Sequence, residues 1–349
     1  MTTTSIQYGG SLGSIYLFPV DMYETFTNIP LKDGIASKYK DDIGLEKDPD
    51  VIYMERYPDA NLEKRGWGAS QVISSVVGDS DPNDSSFKPL ATGIKSLKMT
   101  IPKGGFGGDA GHWNFWSNMK DEPEELYIRT YARMSNDFDS MGGKFPFGFD
   151  GTYIKSSEWV RNPATGRSYT RPDAPDYAGN GGATSDGTNG WSARGGFFAQ
   201  DCNTGSDCAV PSKVNPLFKA GYRMLDYYNY HADQPDIKGE IFRWDRGLLG
   251  LIPKNKWFSI DQYVKMNTVN IDGSGNKDGV LRVWIDGRLA FEKTDFRMRN
   301  WPGNYAGAMN IKVSSVWLNF YHGGLSPANS PMTVYLANTV ISKSYVGPS

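Results

Sequence analysis

The stretch from 221 to 233, GYRMLDYYNYHAD, has the pattern that determines the class of fold. Read with the two-residue period of a β-strand, it places Asp226, Tyr228 and Tyr230 on one face, and Leu225 and Tyr227 on the other. Two tyrosines that are two residues apart on one strand stand side by side. The stretch therefore predicts a strand that presents a pair of phenols.

Two upstream segments predict strands that carry cations. The segment WSARGGFF, 191–198, places Ser192 and Arg194 on one face, and the glycine-rich start of GGKFP, 142–146, presents Lys144. If these segments are neighbours of the tyrosine strand in one sheet, a guanidinium and an ammonium lie beside the phenol pair. Such a set is suited to removing a proton next to a carboxylate.

The rest of the chain also favours short strands. Its 349 residues include 40 glycines and 20 prolines, and 13% of them are aromatic, which suits strands and turns better than long helices. Alternation is clear at 125–134 and 257–267, and further strands are expected at 280–285, 289–291, 316–321 and 333–341. Asp286-Gly287 predicts a two-residue hairpin turn. A dozen or more short strands predict an all-β fold, an antiparallel two-sheet jelly-roll sandwich with long loops and little helix.

A chain of this length fits a single sandwich domain, 1–349. We expect 1–90 to provide an N-terminal strand and wrapping loops, and 91–349 to form the core sandwich. The segment from 150 to 190 is rich in Gly, Asn, Asp and Ser and has no periodicity, which is typical of a functional rim or lid.

The charge balance argues against two classes of partner. There are 37 Lys and Arg against 39 Asp and Glu, so no overall basic field attracts nucleic acid or an anionic membrane. No apolar run approaches membrane-spanning length. We therefore expect a protein that binds neither nucleic acid nor membrane, and any polyanion has to be held by a local cluster of cations. We also expect a monomer.

The two cysteines, Cys202 and Cys208, lie in the polar loop CNTGSDC. A disulfide that closes this small loop is the favoured interpretation, because no further metal ligands are near in the sequence. A disulfide indicates an oxidising compartment, so we expect a secreted, extracellular protein. The start of the chain, MTTTSIQYGG, lacks the features of a secretory signal, so the signal has been removed from this chain or export uses another route.

The strand ELYIRTYARM, 125–134, leaves two interpretations open. Arg129, Tyr131 and Arg133 share one face. They could form a floor that binds acidic sugars, since arginine pairs with carboxylates and aromatic rings pack on sugars. The alternative is a solvated outer face with no role in binding.

Metal and hydrolase chemistry receive little support. Asp79, Asp81 and Asp84 form an acidic loop, for which a solvated turn is the first interpretation and a structural calcium site the second. We expect no other cofactor, because HExxH is absent and the three histidines are scattered. Glu240 and Asp245 are at odd spacing, on opposite faces of an extended strand, which disfavours a retaining glycosidase.

Several blocks of this sequence, taken in order, resemble a known family. They are GGKFPFGFDG (142–151), WSARGGFF (191–198), YYNYHAD (227–233), KNKWFSIDQYVKMNT (254–268), DGVLRVWIDG (278–287) and VWLNFYHGG (316–324). They look like the successive blocks of the polysaccharide lyases of family 14 and the related glucuronan lyases of family 20, over about residues 90 to 345. Those are jelly-roll enzymes that act on alginate or polyglucuronate.

The resemblance implies roles for five residues. Lys144, Ser192 and Arg194 match positions that bind the substrate carboxylate, and Tyr228 and Tyr230 match the tyrosines assigned to proton transfer. Of these two, we expect Tyr230 to be the principal acid or base and Tyr228 its partner.

The sequence departs from the family pattern in two places. Phe145 replaces the usual leucine, which alters the subsite if its side chain faces it. The histidine that some relatives carry before the Ser-x-Arg strand is missing from 183–190, so no histidine relay is expected.

The sequence thus predicts a lyase that cleaves a 4-linked polyuronate by metal-independent β-elimination, with alginate as the first candidate substrate and glucuronan as the second. Cations neutralise the carboxylate while the phenols move the proton, and the partner is an acidic polysaccharide. Two alternatives stay open: a carbohydrate-binding lectin on the same sandwich, and a jelly-roll glycoside hydrolase.

Overall fold

The computed structural model describes residues 29–68, 73–138, 140, 142–153, 160–161, 168–169, 178–179, 181–198, 216–322, 327–328 and 330–349. Within these residues, two antiparallel sheets contain almost all of the regular structure, which confirms the predicted all-β sandwich. Cys202 and Cys208 lie outside the described residues, so their predicted disulfide stays a prediction.

The larger sheet has eight strands. In chain order they are β1 (Val51–Glu55), β2 (Ile73–Val77), β3 (Ser96–Ile101), β5 (Glu125–Met134), β13 (Phe258–Lys265), β14 (Gly279–Ile285), β15 (Arg288–Phe296) and β17 (Met332–Ser342). Their spatial order is β15-β14-β13-β5-β17-β3-β2, and β1 also pairs with β17. Two strands from the first 90 residues therefore belong to this sheet.

The smaller sheet has seven strands. They are β4 (Gly107–Asn114), β6 (Gly142–Gly151), β9 (Trp191–Phe198), β10 (Arg223–Tyr230), β11 (Glu240–Arg243), β12 (Leu251–Ile252) and β16 (Ser315–Tyr321). Their spatial order is β11-β10-β9-β6-β16-β4, with β12 also on β10. The three segments expected to carry phenols and cations, β6, β9 and β10, are thus adjacent strands.

The remaining elements are short. A two-stranded ribbon pairs β7 (Val160–Arg161) with β8 (Ser168–Tyr169). The α-helices are α1 (Phe115–Met119), α2 (Pro216–Lys219) and α3 (Tyr305–Asn310), and 3-10 turns occur at Ile35–Lys38, Lys40–Asp42, Leu45–Lys47, Leu62–Arg65 and Arg246–Leu248. In the described part of the chain, no helix is long and apolar enough to cross a membrane.

The core lies between the two sheets and follows from the alternation of the strands. On β10, Leu225 and Tyr227 are fully buried in it. On β16, Val316, Leu318 and Phe320 point the same way. Because successive side chains on a strand point to opposite faces, the residues between these positions are directed to the outer face of the smaller sheet.

The hairpin between β14 and β15 forms as predicted. Ile285 pairs with Arg288, and the two residues between them, Asp286 and Gly287, have φ values of 47° and 76°. Positive φ at both central residues is the requirement of a type I′ turn, which matches the twist of the paired strands. The Asp-Gly dipeptide supplies residues that tolerate this conformation.

Candidate active site

The outer face of the smaller sheet carries three rows of side chains that run across the strands. Strand pairing aligns Asp226 with Gly196 and Lys144, Tyr228 with Arg194 and Gly148, and Tyr230 with Ser192 and Asp150. On the next strand, Trp317 is opposite Gly148, and Ser315 is opposite Asp150. The structure therefore brings together the five residues from β6, β9 and β10 that the sequence singled out.

The two phenols are in contact. The ring centres of Tyr228 and Tyr230 are 5.6 Å apart in an edge-to-face arrangement. Each phenol oxygen accepts a backbone N–H: Tyr230 from Gly182 at 3.1 Å and Tyr228 from Gly239 at 2.9 Å. Tyr228 is partly exposed, whereas Tyr230 is 2% exposed, so Tyr228 is the phenol that a ligand reaches directly.

The pKa of the Tyr228 phenol is raised, although the cations of Arg194 and Lys144 lie beside its ring. Burial is the largest cause, and the charge of Tyr230 and a hydrogen bond to it act in the same direction. The N–H of Gly239 and the guanidinium of Arg194 oppose these effects, and the pKa reaches about 12. Tyr228 therefore keeps its proton at neutral pH.

The guanidinium of Arg194 lies among aromatic rings. Its central carbon is 5.5 Å from the ring centre of Tyr228, 5.4 Å from that of Tyr230 and 5.0 Å from that of Trp317. In the part of the chain that the structure describes, no carboxylate pairs with Arg194, and its buried Nε has no hydrogen-bond partner. A cation held in this way is suited to bind an anion from outside the chain.

Lys144 adds a second cation. Its Nζ lies 3.9 Å from the ring centre of Tyr228. Burial and the nearby charge of Arg194 lower the pKa of Lys144, while the carboxylate of Asp226 raises it. The pKa of Asp226 is itself raised by burial, against the attraction of Lys144 and Arg243. The charges on Lys144 and Asp226 therefore depend on each other.

Ser192 does not face a ligand directly. It is fully buried, and its hydroxyl donates a 2.5 Å hydrogen bond to the carbonyl of Gly179. Gly179 lies three residues before Gly182, whose N–H binds Tyr230. The predicted contact of Ser192 with substrate is therefore replaced by a contact that holds the segment next to Tyr230.

The predicted floor of Arg129, Tyr131 and Arg133 lies on the other sheet. Arg129 is fully buried and pairs with Asp42 at 2.7 Å, and Arg133 donates to the backbone carbonyl of Ser86. Tyr131 is 7% exposed and packs on Arg129. Neither a sugar-binding floor nor a solvated face describes these side chains, because other parts of the chain cover them.

Three residues that the sequence did not single out contribute to the site. The ring of His112 stacks on Trp317, with centres 4.6 Å apart, and its Nδ1 lies 2.8 Å from the Ser315 hydroxyl. Trp317 is thus packed between His112 and Arg194. Alternation in VWLNFYHGG could have placed Trp317 on the outer face, but His112 is on β4, 205 positions earlier, and only the fold brings it near. Asp226 was on the correct face and had no predicted role.

The structure also shows the surroundings of Phe145 and of the acidic loop. Phe145 is buried in the core against Phe197 and Phe258, so its ring does not line the site. In the acidic loop, Asp81 pairs with Lys98 at 2.6 Å and accepts a hydrogen bond from the Tyr335 hydroxyl. Among the described residues, no cluster of three or more His, Cys, Asp or Glu side chains is arranged to hold a metal ion.

Comparison with known proteins identifies the fold. No protein-family model matches the chain, and no curated protein matches it significantly in sequence. The solved alginate lyase Aly36B aligns over 87% of this chain and 96% of its own, at 18% identity and a TM-score of 0.52. The alginate lyase vAL-1 from Chlorella virus aligns over 84% of this chain and 100% of its own, at 17% identity and a TM-score of 0.51. The chain has the fold of these alginate lyases.

A weaker likeness is to an endo-β-1,4-glucuronan lyase from the fungus Trichoderma reesei, at 14% identity and a TM-score of 0.43, over 84% of this chain and 95% of that one. At 17–18% identity, the likeness to the two alginate lyases is one of fold. Any activity of this chain therefore has to be inferred from the residues of the site.

Proposed function

We propose that this chain is a polysaccharide lyase that cleaves a 4-linked polyuronate by metal-independent β-elimination, with alginate as the first candidate and glucuronan as the second. The observation that carries the proposal is the environment of Arg194. Its guanidinium has no anionic partner in the described part of the chain and is held beside two phenols and a lysine. A uronate carboxylate supplies the missing anion.

The cations neutralise the carboxylate. When the proton on the carbon beside the carboxylate leaves, negative charge flows into the carboxylate group. Arg194 and Lys144 lie on adjacent strands and stabilise that charge, and Trp317 and the two tyrosines hold the guanidinium in place. Such preorganised electrostatics is commonly the largest contribution to catalysis.

The phenol pair transfers the proton. The relay requires a deprotonated Tyr230, whose oxygen accepts the N–H of Gly182. Tyr228 takes the carbon-bound proton while its own proton passes to Tyr230. The proton then returns through Tyr228 to the leaving glycosidic oxygen, which restores the starting state and leaves a carbon–carbon double bond in the product. Tyr230 is the principal base in this scheme, and Tyr228 is the phenol in contact with the substrate.

The test is a screen of the purified protein against alginate block polymers, glucuronan, pectate and hyaluronan, with the ultraviolet absorbance of the unsaturated product as the readout. We expect product from a polyuronate. Tyr230→Phe and Tyr228→Phe should each lower kcat about 100-fold to 10,000-fold while polymer binding persists. Tyr305→Phe, which alters an exposed tyrosine on α3, is the matched control. Full activity in both site variants would contradict the proposed relay.

The same screen separates the alternatives. A lectin retains the polymer and releases no unsaturated end, and a glycoside hydrolase releases saturated reducing ends. The hydrolase is less well supported, because the Glu240 carboxylate that it would use accepts a 2.9 Å contact from Nε2 of His231. We further propose that the protein is secreted, since acidic polysaccharides of this class are extracellular substrates.

A further inference from the structure

Asp226 is the one acidic side chain in the row that contains Lys144. It is on the same face of β10 as Tyr228 and Tyr230, and it is 5% exposed. Within the described residues, its carboxylate forms neither a hydrogen bond nor an ion pair at contact distance, although it interacts electrostatically with Lys144 and Arg243. A buried carboxylate without a direct partner is costly, so its position calls for a functional explanation.

Gly196 determines where this carboxylate lies. Strand pairing places Gly196 directly between Asp226 on β10 and Lys144 on β6. A Cβ added at Gly196 would lie 2.3 Å from Oδ1 of Asp226, closer than real contacts allow. Any other residue at 196 would therefore push the carboxylate away. Glycine leaves space over β9 that the carboxylate occupies, on the side that faces Lys144.

We propose that Asp226 is a positioning residue for Lys144. From the space above Gly196, its carboxylate keeps the Lys144 ammonium charged, so that the ammonium neutralises the substrate carboxylate. This inference rests on the proposed lyase function. It assigns a role to a residue that interacts with Lys144 through its charge and need not touch the substrate. It also explains why position 196, two residues after Arg194, is a glycine.

The surrounding charges make Lys144 sensitive to this carboxylate. Arg194 from β9 and Arg243 from β11 are cations that face the pair, and the tyrosines beside it are Tyr228 from β10 and Tyr321 from β16. Burial and Arg194 lower the pKa of Lys144, and Asp226 is the group that raises it. Without the carboxylate, the amine loses its proton at lower pH.

The experiment measures kcat/KM against pH for the wild type, Asp226→Asn and Gly196→Ala. Asp226→Asn removes the charge and keeps the shape, whereas Gly196→Ala keeps the charge and displaces the carboxylate. In both variants we expect the alkaline fall in kcat/KM to move to lower pH by about one unit. Asp295→Asn, at a solvated carboxylate, and Gly142→Ala, where an added Cβ makes only an ordinary 3.5 Å contact, are the matched controls.

A second measurement does not depend on activity. Reductive ¹³C-methylation of the lysines gives each one an NMR signal, and the Lys144 signal is identified by its loss in Lys144→Arg. We expect this signal to titrate at lower pH in both variants. In Lys144→Arg, which stays charged, the alkaline limb of the activity profile should no longer respond to Asp226→Asn.

The outcomes separate two kinds of failure. If the wild type produces no unsaturated ends from any polyuronate, the lyase function fails, and the NMR titration alone still tests the link between Asp226 and Lys144. If the wild type is active but neither variant shifts the alkaline limb or the Lys144 signal, the positioning role is overturned. A shift confined to the acidic limb would also overturn it, because that result would make Lys144 a base instead of a charged neutraliser.

Discussion

The two sheets present outer faces of similar chemistry with opposite outcomes. On the larger sheet, β5 alternates Arg129, Tyr131 and Arg133, and on the smaller sheet Arg194 lies beside Tyr228. On the first face Arg129 is paired with a carboxylate, Arg133 donates to a backbone carbonyl, and both are covered. On the second face, Arg194 has no carboxylate partner within the described residues, and its Nε has no hydrogen-bond partner. The two faces therefore share residue types and differ in the partners of their arginines, and the proposed binding site is the face whose arginine lacks such partners.

The cover on the larger sheet comes from distant segments. Asp42, from the turn at Lys40–Asp42, binds Arg129 and accepts a 2.9 Å hydrogen bond from Asn338. The N–H of Gly347 donates to Asp261, which is opposite Arg129 on β13. Arg129 therefore stabilises the fold by linking these segments to β5. Three substitutions test whether the two faces differ in this way.

The largest expected effect is on the covered face. Arg129→Ala should lower the free energy of unfolding by about 3–5 kcal/mol, because it leaves Asp42 buried without its cation. Urea unfolding measures this loss, and the activity per folded molecule should stay at the wild-type level. A stability loss below about 1 kcal/mol would mean that the Arg129–Asp42 pair does not stabilise the fold.

The next effect is on the open face and should be of the opposite kind. Arg194→Ala should lower kcat/KM about 100-fold to 1,000-fold, because the charge that develops on the substrate carboxylate loses its cation. The free energy of unfolding should change by no more than about 1 kcal/mol, since no ion pair within the described residues is broken. Arg129→Ala is the matched control. Equal stability losses in both variants would mean that the two faces do not differ in how their arginines stabilise the fold.

The smallest effect concerns pH. Burial raises the pKa of Asp261 to about 7, above the value of about 4 of an unfolded aspartate. A raised carboxyl pKa stabilises the fold fully below about pH 4, and this stabilisation is lost as the pH rises through about 7. Relative to the wild type, Asp261→Asn should therefore gain about 2–3 kcal/mol between pH 5 and pH 8, measured by urea unfolding. Parallel pH curves for the two proteins would rule out this contribution.

Much of the fold could be predicted from local pattern. The alternation at 125–134 gives β5 with the same bounds, and Asp286-Gly287 gives the turn between β14 and β15. The same rule places Asp226, Tyr228 and Tyr230 on one face. These predictions succeed because the direction of a side chain on a strand and the φ values of a tight turn depend on a few adjacent residues.

The sequence by itself determined the strands, their faces and the set of phenols and cations. The tertiary structure decided which arginine–tyrosine face is covered, since Asp42 and Arg129 are 87 residues apart in the chain. It also decided that Trp317 and His112 hold Arg194, that Ser192 binds a backbone carbonyl, and that burial raises the pKa of Tyr228. Local alternation says which way a side chain points, but what it meets there depends on strand register and packing between distant segments, which no local pattern encodes.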